Sequence, residues 1–131
     1  MRNELIEKMK LEIANKITNF LQGQGIELYM AANDNVDSEN PLIRLEAIED
    51  NVLSGSKLLF EIRVVLGLLG KTWQCDSLIK GIYYTLHPHG LSLSELVVIL
   101  MSMHVEHLDC NIEGMSHNRT IIRYVVEECQ K

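Results

Sequence analysis

The most constraining feature of the sequence is the run from Leu58 to Leu69, where only Glu61, Arg63 and Gly67 interrupt the apolar side chains. A segment this apolar must be covered on nearly every side, so the rest of the chain has to wrap around it. The segments beside it space their apolar residues by three and four, and on that pattern the run is expected to be the central helix of a helical core.

The first such segment is residues 3–22. Ile6, Met9, Ile13, Ile17, Phe20 and Leu21 recur at helical spacing, with Glu4, Glu7, Lys8 and Glu12 between them, and Gly23 and Gly25 then stop the helix. Residues 26–30 are a helical turn or a brief extended piece, and 33–38 a polar loop. Asn40-Pro41 has the form of a helix start, with Leu42, Leu45, Ile48 and Val52 following at helical intervals. Ser54-Gly55-Ser56 is a kink or break. Leu78, Ile79, Ile82, Tyr83 and Leu86 form a further stripe, with Asp76 as candidate cap and His87-Pro88 as terminator. Ser92 to Glu95 has capping-box spacing ahead of a helix expected to reach Leu108. After a loop containing Gly114, Ile121, Ile122, Val125, Val126 and Cys129 are expected on one face of a last helix. The expected fold is therefore all-α: an irregular bundle of five or six helices forming a single domain over 1–131, with 1–25 as an amphipathic N-terminal helix and 38–131 as the main bundle. Ile62, Leu66, Ile82, Ile122, Leu59, Leu100 and Val125 are its expected core.

Composition narrows the function classes. Apolar residues at 47% and charged residues at 23% are ordinary globular values. No apolar stretch is long enough for a transmembrane helix, and residues 1–4 carry no signal-like core, so a cytoplasmic protein is expected. Three cysteines, Cys75, Cys110 and Cys129, read as reduced thiols.

No catalytic signature is present. Cys110, His107 and Asp109 supply the residue types of a nucleophilic site, but adjacency in sequence does not supply geometry. Gly67, Gly70 and Lys71 lack the spacing of a phosphate loop. No enzyme activity and no cofactor are expected. His104, His107 and Cys110 recur every three residues, with His117 beyond the following loop. On one helix the first three would share a drifting face, and zinc favours imidazole and thiolate. The set lacks a paired cysteine, so metal binding is an alternative and not the leading reading. His117, Asn118, Arg119 and Arg123 resemble the polar start of a recognition helix, with Leu91 to Leu96 as the preceding helix. A long connection and an acidic chain weigh against this DNA-binding reading.

Charge points elsewhere. The net charge is −6, and residues 1–55 hold ten acidic groups against five basic ones. Acid is densest from Glu27 to Asp50. Glu39, Glu46, Glu49 and Asp50 would share a helix face, with Leu42 and Leu45 as an apolar anchor between them. The leading expectation is a small acidic helical protein-interaction module, such as an inhibitor, immunity-type protein, adaptor or regulatory subunit, that binds a basic partner. The apolar content after residue 57 also makes a homodimer an expected partner state.

Overall fold

The apolar run is a strand. The computed structural model describes residues 2–29, 41–53, 59–91 and 95–128. Within them β3 (Leu59–Lys71) is the middle of an antiparallel sheet, paired on one side with β2 (Leu42–Val52) and on the other with β5 (Met115–Glu128). β4 (Leu96–Leu108) pairs antiparallel with β5, and a two-residue β1 (Leu28–Tyr29) lies parallel to the start of β2. The strand order is β1-β2-β3-β5-β4. Phe60, Ile62, Val64, Leu66 and Leu68 project to one face and are buried there, beside Val126, Tyr124, Ile122, Thr120 and Asn118 of β5. On the opposite face Val65 is buried as well. Arg63 on that face is exposed, so the strand alternates from Phe60 to Val64 and reads as a continuous apolar run only from Val64 to Leu69, where Val65 and Leu69 add apolar side chains to the second face.

This overturns the expected all-α bundle. The segments around 42–52, 59–71, 96–108 and 115–128 are strands, and two helices accompany them. Bulges account for much of the misreading. The β2–β3 register shifts between Leu45 and Ala47, so the inward residues of β2 run Ile43, Leu45, Ile48. The β4–β5 register shifts between Val98 and Leu100, so those of β4 run Val98, Met101, Met103. Each bulge inserts one residue and turns a spacing of two into a spacing of three, which imitates a helix. In β5 the apolar residues occupy both faces: Ile122 and Val126 are buried, and Ile121 and Val125 are on the other side. Of the expected core, Ile62, Leu66, Ile82 and Ile122 are buried, Leu59 and Val125 are half-buried, and Leu100 is 49% exposed.

Both helices lie on the face of the sheet that carries Leu66 and Ile122. α1 (Arg2–Gly23) buries Ile6, Met9, Ile13, Ile17 and Leu21 in the core and follows its expected pattern. It ends where expected: Gly25 is left-handed at φ 73°, the Gly25 N–H donates to the Gln22 carbonyl and the Ile26 N–H to the Leu21 carbonyl. These paired bonds satisfy carbonyls that the helix end would leave open. α2 (Thr72–Thr85) follows β3 without a loop and buries Cys75, Leu78, Ile79 and Ile82. Its cap position is Lys71, not Asp76. Its first residue is tied to the β4–β5 hairpin: the Thr72 N–H donates to the Gly114 carbonyl at 3.2 Å, and the Thr72 and Ser116 hydroxyls are 2.7 Å apart. Proline ends the helix as expected, and a 3-10 turn, Pro88–Gly90, follows. The buried Tyr124 hydroxyl donates to the Leu86 carbonyl, fixing this end of α2 to β5. The expected helix starts fare less well. Pro41 precedes a strand, and Glu95 leads into β4. Asn40, Ser54-Gly55-Ser56, the loop at 33–38 and Ser92 to Ser94 lie outside the described residues. No described helix is long and apolar enough to cross a membrane.

Candidate functional site

Among the described residues, the two-layer fold leaves two kinds of surface without cover: the sheet face away from the helices, and the strand edges. The uncovered face is closed by its own side chains. Arg119 forms ion pairs with Glu46 on one side (3.0 Å) and Glu106 on the other (3.8 Å), and Arg123 pairs with Glu61 at 2.9 Å. These pairs run across the strands and shield Val65 and Ile121 between them. It is an ordinary solvated sheet face.

The two outer strands differ. Each contains a bulge, but β2 also carries Arg44, Glu46, Glu49 and Asp50, and β1 covers its first residues. Charges, bulges and cover are how sheets blunt an edge against pairing with other chains. β4, at the opposite edge, pairs only with β5 among the described residues. From Leu96 to Val105 it contains neither an acid, nor a lysine or arginine, nor a proline. Val97, Ile99 and Leu100 are 51%, 54% and 49% exposed. Beside this edge lies a groove of about 310 Å³, lined by Lys80, Tyr83 and Tyr84 of α2 and by Met101, Ser102 and Met103 of β4. It exists because α2 packs over β3 and β5, leaving the helix side of β4 half-covered: Val98, Met101, Met103 and Val105 are all partly buried. Tyr84 stands at its rim, 72% exposed, edge-on to Tyr83.

The residues singled out by sequence are scattered by this geometry. Glu39 lies outside the described residues. Leu42 and Leu45 are buried and offer no anchor to a partner. Glu46 is held by Arg119, and Asp50 by Lys10 at 2.6 Å; that contact is the main reason the Lys10 pKa rises. Glu49 is exposed, in register with Arg63. The segment that resembled a recognition helix is β5. His117, Arg119 and Arg123 point to the uncovered face, and Asn118 is buried, accepting a hydrogen bond from the Thr120 hydroxyl. The possible zinc ligands separate for the same reason. A strand sends successive side chains to opposite faces. His104, opposite Ile121, therefore lies on the uncovered face and His107, opposite Asn118, on the helix side. Cys110 is in the turn and His117 is across from Leu108. Among the described residues no three His, Cys, Asp or Glu side chains converge to hold a metal. Cys75 is buried on α2, and its thiol is pushed up to about 11 by burial, with smaller contributions from Asp76 and Cys110.

Sequence reasoning missed Val97, Ile99, Leu100, Met101, Met103, Tyr83 and Tyr84 as surface residues. Their signal was the charge-free stretch after Glu95, rich in β-branched residues. No protein-family model matches the chain, and no curated protein is significantly similar to it.

Proposed function

We propose that this chain is a protein-interaction module that works by strand addition at β4, taking up an extended segment of a partner protein along its open edge. The observation that carries the reading is the contrast between the two sheet edges: both strands are bulged, but β2 is charged and partly covered, whereas β4 is apolar over Leu96–Met103 and pairs on one side only among the described residues. An edge strand presents unpaired N–H and C=O groups that only another extended backbone satisfies in full. Backbone bonds supply affinity, and side-chain pockets supply selection. Here the pocket is the groove between α2 and β4, whose tyrosines and methionines suit an apolar or aromatic side chain and adapt to its shape. The acids at 46, 49 and 50 then have a different part from the one expected of them: they guard the far edge, where Glu46 holds Arg119 of β5 and Asp50 holds Lys10 of α1.

The test replaces exposed edge residues by lysine, the side chain that natural edges use for protection. Val97→Lys and Leu100→Lys should keep the fold by circular dichroism and lose at least about tenfold in captured partner relative to the wild-type chain. Photo-crosslinks from position 99, and not from the charged β2 edge, should map to one extended segment of that partner. Equal capture by wild-type and variant chains would overturn the reading.

A further inference from the structure

We infer that the strand that fills the β4 edge is β4 of a second copy of this chain, paired antiparallel across a two-fold axis. The inference rests on the reading of β4 as a binding edge and names its occupant. Three observations converge on a second copy.

The first is charge. A chain of net charge −6 repels its like, and a two-fold interface brings each residue near its own counterpart or that of a close neighbour. A self-pairing strand must therefore be free of its own charge, whereas an edge made for a basic partner would carry acid. The eight residues from Leu96 to Met103 carry none of either sign, in a protein whose other sheet edge carries four charged side chains within seven residues. Beyond the contact the repulsion is weak, since salt screens exposed charges over about 8 Å at physiological ionic strength.

The second is the groove. A two-fold axis perpendicular to the sheet keeps both helical layers on the same side, so the groove of one copy meets the groove of the other over the joined strands. Tyr84, largely exposed beside one edge, then lies against the partner's α2, and Met101 and Met103 of both copies line one apolar seam. The same patch on both sides is what an isologous dimer requires.

The third is continuity. Four long strands from each copy form one eight-stranded antiparallel sheet, in the order β2-β3-β5-β4-β4-β5-β3-β2. Its two ends are the guarded β2 edges, so assembly stops at two copies.

Size-exclusion chromatography with light scattering reads the state directly. The wild-type chain should have twice its 15.0 kDa mass at micromolar concentration. Ile99→Lys and Ile99→Glu place like charges across the axis and should each weaken dimerisation at least about a hundredfold, with unchanged circular dichroism and a melt that stays cooperative. Mixing the two variants should restore a dimer containing one of each. Amide hydrogen exchange over residues 96–103 reads the same contact without any substitution: it should be slow in the wild-type dimer and fast after dilution to the monomer. A wild-type chain that is monomeric at high concentration overturns self-pairing, as does a dimer that both variants leave intact. If that monomer still loses a partner segment through Val97→Lys, only the second-copy inference fails. If Val97→Lys loses nothing, the strand-addition reading fails with it.

Discussion

Among the described residues, Cys75 and Tyr124 are the two groups whose burial couples stability to pH. The Cys75 thiol sits inside the core near the Ser116 carbonyl and titrates at about 11 instead of 9.0, chiefly because burial disfavours the thiolate. Tyr124 is raised by burial as well, and its proton is committed to the Leu86 carbonyl. For both, the folded state holds its proton more tightly than the unfolded chain does. The stabilisation is therefore complete below the unfolded pKa values, 9.0 and 10.0, and is lost as pH rises beyond them. Urea midpoints measured from neutrality up to pH 11 should fall above pH 9, with about 1–2 kcal/mol of the loss due to Cys75. Cys75→Ala should remove that share and leave the part due to Tyr124. A midpoint flat across this range would mean that neither group is buried as described. Single residues were also where sequence reasoning was weakest. It recognised that Ile62, Leu66, Ile82 and Ile122 belong inside. It could not place His104 and His107, because a separation of three puts two side chains on one side of a helix and on opposite sides of a strand.

At the scale of elements, the sequence declared its helices and disguised its strands. α1 and α2 carry stripes that no bulge disturbs, with Gly25 and Pro88 as stops. The strands carry bulges at Glu46 and Ile99, and β3 and β5 both set apolar side chains on their second face as well, so the alternation that marks a strand is broken in all four long ones. The missed site has the same origin: read as a helix, residues 96–101 belong in a core; read as an outer strand, they line an open edge. The contact between the two helices gives a sharp test of the packing. Gly81 lies within α2, where alanine is ordinarily better by about 1 kcal/mol. The Phe20 ring of α1, however, occupies the place where a Cβ on residue 81 would sit. Gly81→Ala should therefore destabilise the protein, by about 1–3 kcal/mol, through overpacking. Phe20→Leu in the same chain should recover part of the loss, and a double-mutant cycle on urea midpoints measures the coupling. A more stable Gly81→Ala protein would show that the helices do not meet this closely.

The whole molecule is set by its strand order. β5, the last of the described strands, lies between β3 and β4 and is the strand partner of both. A chain cut after Gly114 should consequently show no cooperative thermal transition rather than a smaller one, since the cut leaves β3 with one neighbour and β4 with none, and removes Ile122, Tyr124 and Val126 from the core. Adding a peptide of residues 115–128 should restore the transition. Cooperative melting of the cut chain alone would show that β2, β3 and the helices are a unit in themselves. The same order has a consequence on the ribosome. The apolar stretch of β4 leaves the exit tunnel before β5 has emerged from it, so for that interval the nascent polypeptide displays it with both flanks bare. Arrival of β5 quenches one flank, and the other stays sticky in the finished product. Expression yield should then depend on how crowded the translating polysome is, because neighbouring unfinished chains expose the same stretch to one another.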